Sequence, residues 1–168
     1  NGDKMSKSRG TFIQARTYLD AGLNPEALRY YFATKSNGGV DDLDLNMEDF
    51  TARVNSDLVG KFVNIASRAA GFITSKFDGE LNDEHKDDPS RFDTTDLASL
   101  FNRSQMEEVC KKYEAGDFAW VTRIVMEWAD TINKKWDETK PWLLAKDETK
   151  TEELHAICSD VLRSFYAL

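Results

Sequence analysis

Cysteine and histidine are scarce in this sequence: its 168 residues hold two of each. Cys110 and Cys158 stand alone inside helical patterns, without metal-ligand spacing or a disulfide framework. They read as buried free thiols of a reducing cytosol. His85 and His155 are far apart and have no ligand-like company, so zinc is not expected. No apolar run approaches the length that crosses a bilayer. Asn1 is not followed by a charged and then apolar leader. The reading is a cytoplasmic piece of a longer protein, with no membrane partner. Internal repeats and low-complexity tracts are also missing.

Basic residues are in the minority, 22 against 30 acidic, for a formal net charge of -8. That excludes a broad basic surface for indiscriminate nucleic-acid binding. It leaves room for a local site built from a few placed residues. Hydrophobic residues at 40% and aromatics at 11% are enough to fill a core, so the chain is expected to fold.

The first ten residues are polar and small and read as a loop. Residues 11–19 suit a strand or a short helix. Asn24-Pro25-Glu26 then opens a helix, with Asn24 as cap and Pro25 at the first helical position. That helix passes through Tyr30, Tyr31 and Phe32 and stops near Gly38-Gly39. Residues 40–46, VDDLDLN, alternate in part and predict a short strand or extended edge. A long helix is expected over 47–77, since Phe50, Val54, Leu58, Phe62, Ile65, Ala69 and Phe72 or Ile73 advance by three or four. A charged loop over 80–93 leads to a helix over 95–115, with Leu97, Leu100, Phe101, Val109 and Tyr113 inward. A helix over 117–139 buries Val121, Ile124 or Val125, Trp128, Ile132 and Trp136. Pro141 breaks the chain, and a last helix runs from about Thr151 to the end, where the bundle reads as truncated. The expected fold is mainly α. A small α+β connecting module over 1–45 precedes a helical bundle over 46–168.

The sharpest local signal is Lys4-Met5-Ser6-Lys7-Ser8, followed by Arg9-Gly10. Two lysines three apart, with one serine hydroxyl between them and a second serine and glycine after, can close on a polyphosphate. On physics alone such a loop is usually just solvated surface. Asp41, Asp42 and Asp44 lack the spacing of a calcium loop.

Lys4 to Ser8 spell KMSKS, a signature of the class I aminoacyl-tRNA synthetases. Further on, SRGTFIQA, LRYYF, DDLDLN, NIASRAAGF and KPWLLAK follow in order and resemble the methionyl-tRNA synthetases across nearly the whole chain. The resemblance implies part of an enzyme that activates methionine with ATP and Mg2+ and attaches it to its tRNA. The loop of Lys4, Met5, Ser6, Lys7 and Ser8 would close over ATP. Lys4 and Lys7 would steady the charge that builds on the leaving pyrophosphate. No His-x-Gly-His signature and no nucleotide-binding βα units are present, so the catalytic domain is expected upstream and the fragment alone inactive. The three aspartates take a structural role near the inside corner of the tRNA.

The same resemblance puts Asn64, Arg68 and Trp142 at positions that touch a CAU anticodon. Asn64 and Arg68 are four apart and share a helix face. Trp142 offers a plane on which an unstacked base can lie. From spacing alone each has a plainer reading. Asn64 would be a satisfied buried amide, Arg68 a solvated or carboxylate-paired charge, and Trp142 a core residue like Trp120, Trp128 and Trp136. The resemblance reverses that preference. Two rival readings remain: another class I synthetase, and a helical protein-interaction scaffold with a coincidental lysine loop.

Overall fold

The computed structural model describes residues 14–82 and 103–168. The lysine loop and most of the charged loop lie outside the described residues, as do Leu97, Leu100 and Phe101. The described residues are helical, and none forms a strand. The helices are α1 (Ala15–Asp20), α2 (Pro25–Ala33), α3 (Met47–Arg53), a π-helical stretch (Val54–Val63), α4 (Asn64–Lys76), α5 (Arg103–Glu114), α6 (Phe118–Thr139), α7 (Pro141–Leu144) and α8 (Thr151–Ala167). A 3-10 turn at Glu148–Lys150 leads into α8.

The start signals hold where side chains can act as caps. Asn24 accepts from the Glu26 amide at 2.9 Å, with Pro25 at the first position of α2. Asn46 accepts from the amides of Glu48 and Asp49 at 2.9 and 3.0 Å and opens α3. Asp117 accepts from the Trp120 amide at 3.3 Å and opens α6.

The expected strand over 40–46 does not form, and the described part of the first 45 residues is helix and irregular chain. Val40 is fully exposed and Leu43 is 41% exposed, so the alternation has no face to bury. Side chains hold the segment instead. The Asn46 amide donates to the Tyr31 hydroxyl at 3.3 Å, and Asn37 Nδ2 donates to Asp41 Oδ2 at 2.7 Å.

The predicted helix over 47–77 is one continuous rod with a π-helical middle. Phe50, Val54, Leu58 and Phe62 recur every four residues with no intervening three. In an α-helix each such step drifts by about 40°. Wider winding, with bonds from i to i+5, keeps these residues in line.

The core lies between α4, α6 and α8, and α4 with α8 is its most extensive pairing. Ile65, Ala69 and Ile73 meet Ala129, Ile132 and Trp136 on α6 and Leu154, Cys158 and Val161 on α8. The Phe62 ring lies tilted against Phe165 and Phe77 stacks on His155, so the rod and α8 are antiparallel. Lys61 pairs with Asp130 and Arg68 with Asp137, so α4 and α6 run parallel. Tyr113, expected inward, is 61% exposed with its ring edge against Phe118. Cys158 is buried as expected, whereas Cys110 is exposed, because α5 turns that side to solvent.

Two glycine turns meet where the first segment touches the bundle. Gly38 and Gly116 both have left-handed φ, 82° and 76°. A Cβ on Gly38 would lie 2.6 Å from the Ala115 carbonyl oxygen, and one on Gly116 would lie 3.5 Å from Gly38 Cα. The Ala119 amide donates to the Ser36 carbonyl at 2.8 Å beside this contact.

Candidate nucleic-acid interface

The seam between α4 and α6 opens at one end into a groove of about 440 Å³. Arg68, Phe72, Trp136, Asp137 and Trp142 line it. Phe72 and Trp136 form its floor, with ring centroids 6.1 Å apart and planes inclined by 46°. Trp136 is 3% exposed, so the floor belongs to the core.

Trp142 reaches the groove because of how α6 ends. Lys140 takes a left-handed φ of 49°, which stops the helix. Pro141 follows, fully buried, and starts α7 with its fixed backbone. The Leu143 amide donates to the Lys140 carbonyl at 2.8 Å and the Ala145 amide to the Pro141 carbonyl at 2.9 Å. This tight turn leaves the indole 43% exposed. It is not sealed in the core, as its plainer reading had it.

Arg68 faces the indole from α4. Its Nη1 donates to Asp137 Oδ1 at 3.0 Å, with the two side chains 38% and 59% exposed. A pair this wet is worth about 1 kcal/mol or less, so it can exchange for another acceptor. Asn64 sits one turn earlier on the same helix and does not line the groove. It is partly exposed, and its Nδ2 donates to the Gly60 carbonyl at 3.3 Å. Arg68 and Trp142 thus share one groove, and Asn64 lies outside its lining.

The groove combines a stackable ring, a guanidinium and a carboxylate over an aromatic floor. That set suits a flat, polar, unstacked base better than a bare phosphate. Asp137 was missed in the sequence. Its signal was the seven-residue spacing shared by Lys61 with Arg68 and by Asp130 with Asp137, opposite in sign on two helices.

A second cleft, of about 500 Å³, lies between α2, the π-helical stretch and α6. Tyr30, Asp57, Lys61, Trp120, Arg123 and Asp130 are among its walls. The Tyr30 hydroxyl donates to Asp57 Oδ2 at 2.9 Å, and burial together with that carboxylate pushes its pKa well up. Among the described residues, no group of three or more His, Cys, Asp or Glu is arranged to hold a metal, and no helix is long and apolar enough to cross a membrane.

Comparison with known proteins gives the chain its relatives. Residues 1–70 match the family model described as tRNA synthetases class I (M). The whole chain is 51% identical over 168 residues to a methionine–tRNA ligase of Cupriavidus metallidurans. It is also 51% identical over 168 residues to that of Ralstonia nicotianae, and 52% identical over 170 residues to that of Stenotrophomonas maltophilia. In each case all of this chain is matched, and it spans 23% of the length of the relative. With half its residues identical to these relatives from end to end, the chain belongs to the methionyl branch of the class I tRNA synthetases.

Proposed function

We propose that this chain is the part of a methionine–tRNA ligase that carries the ATP-site lysine loop and reads the CAU anticodon of methionine tRNA. The parent protein activates methionine with ATP and Mg2+, releases pyrophosphate, and transfers methionine to the tRNA in the cytoplasm. Residues 1–45 connect the catalytic domain upstream to an anticodon-binding bundle over 46–168. The observation that carries this reading is the shared groove of Arg68 and Trp142 above Phe72 and Trp136, together with the identity to methionine–tRNA ligases along the whole chain.

In this reading a base of the anticodon loop leaves its stack and lies against Trp142. Arg68 then trades part of its bond to Asp137 for a base edge or phosphate. Asn64 releases the Gly60 carbonyl and offers both a donor and an acceptor to a base. Base-on-aromatic stacking supplies roughly 1–3 kcal/mol. In the loop, Lys4 and Lys7 stabilise the charge that develops on the leaving pyrophosphate, while Met5, Ser6 and Ser8 complete the turn over the phosphates.

Two variants of the full-length protein separate the two activities. Trp142→Ala is expected to lower aminoacylation about 5- to 150-fold, the equivalent of one lost stacking contact, and to leave pyrophosphate exchange nearly unchanged. Lys7→Ala is expected to depress pyrophosphate exchange far more than methionine binding. Equal loss of both activities in the tryptophan variant, or undiminished exchange in the lysine variant, refutes the assignment. The scaffold reading is tested in the same series. It predicts no difference between a CAU tRNA and one with an exchanged anticodon.

A further inference from the structure

Asn133 of α6 lies in the seam with α4, between the two ion pairs of Lys61 with Asp130 and Arg68 with Asp137. Its Nδ2 donates to the Ala129 carbonyl at 3.0 Å, a bond within its own helix, and across the seam to the Lys61 carbonyl at 3.2 Å. Its Oδ1 is buried and accepts no hydrogen bond from the described residues. An unpaired buried acceptor is costly, and a leucine of similar size would avoid it. The amide therefore has a use that packing alone does not explain.

Its partner shows what that use is. Lys61 lies near the end of the π-helical stretch, which closes at Val63 immediately before Asn64. Each residue that π winding adds to a turn rotates everything after it by about 100° relative to an unbroken α-helix. The direction in which Asn64 and Arg68 point is thus set by the π stretch, and the carbonyl next to its exit is tied to α6 by Asn133. The same helix α6 supplies Asp137 and ends at Pro141, which aims Trp142.

We propose that Asn133 is a positioning residue for RNA recognition: by holding the Lys61 carbonyl it fixes the winding of the π-helical stretch, and so sets Asn64 and Arg68 in register with Trp142. This rests on the function proposed above. Asn133 does not touch RNA; it acts through the helix that does.

The test uses the full-length protein with a CAU tRNA and one of exchanged anticodon, and compares Asn133→Leu with Trp142→Ala. In Asn133→Leu the ratio of kcat/KM between the two tRNAs is expected to fall about tenfold, mainly through KM. Pyrophosphate exchange should be unchanged and the thermal midpoint equal or higher, since the unpaired acceptor is gone. A residue serving only structure would move the midpoint and leave that ratio alone. If the leucine does not fold, Asn133→Ser is measured in the same way; its hydroxyl is too short to reach Lys61 and bonds back within its own helix. Asn133→Gln, which keeps a donor, is expected to recover part of the ratio. Unaltered discrimination in the leucine or serine variant, with Trp142→Ala impaired, overturns the role of Asn133 alone. Unaltered activity in Trp142→Ala overturns the anticodon reading beneath it.

Discussion

Tyr31 has no accessible surface, yet its hydroxyl organises the entry to the long rod. It takes a bond from the Asn46 amide and lies 3.1 Å from Asp49 Oδ2 and 3.4 Å from the Asp44 carbonyl. Lys35 completes the cluster, with Nζ 2.9 Å from Asp49 and 4.8 Å from the centre of the Tyr31 ring. The Lys35 ammonium holds the Asp49 carboxyl below its usual range, and the Tyr31 hydroxyl and Arg53 add to this. The sequence placed Tyr30, Tyr31 and Phe32 on one helix, but not which tyrosine goes inside, because adjacent aromatics fit a helix pattern in either phase. The cysteines show the same limit, as their sequence surroundings did not separate an exposed thiol from a buried one. Burial pushes the Cys158 thiol up to about 12. In the native protein a thiol reagent at pH 8 is expected to label Cys110 rapidly and Cys158 only in denaturant. Mass spectrometry of the labelled peptides checks this, and early label on Cys158 would show that α8 opens readily.

At the level of elements, helix starts were legible and winding was not. Asn24 and Pro25 mark a start by local chemistry that needs no partner. The π stretch depends on which face the rod must present, and that is decided by α6 and α8 far along the chain. The run of fours from Phe50 to Phe62 was its one trace. The failed strand over 40–46 teaches the converse, since alternation without a buried face has no force to align it. Asp117 gives an element-scale prediction. Its carboxyl is held below the usual range by the Lys112 ammonium at 3.0 Å and by the Trp120 amide. The unfolded carboxyl protonates first as pH falls, so the stabilisation is complete above its unfolded pKa of about 4 and fades as pH drops through the lower folded value. Asp117→Ala should therefore lower the thermal midpoint by roughly 2–4 °C at pH 7, with the gap from the native protein closing toward pH 3. Melts across that range test it, and a gap that persists at pH 3 would mean the aspartate acts by packing.

For the molecule as a whole, the bundle was legible from helix periodicity. The groove was legible only through family resemblance, because Arg68 and Trp142 are far apart in sequence and meet only when α4 and α6 pack side by side. In the proposed RNA-binding role, a net charge of -8 limits how RNA can be held. One to three phosphate contacts give a log–log salt slope of magnitude about 0.7–2, so affinity should fall no more than about twentyfold between 50 and 200 mM salt. Filter binding over that range checks it, and a much steeper slope would reveal a broad basic track.

The contact between Gly38 and Gly116 bears on how an event at one end is felt at the other. Backbone meets backbone there with no side chain to cushion or slip. The two turns behave like meshed teeth, and a tilt of α6 carries the segment before α3 along with it. Any shift of α6 would thus be felt directly by the chain between α2 and α3, without needing a relay of flipping side chains.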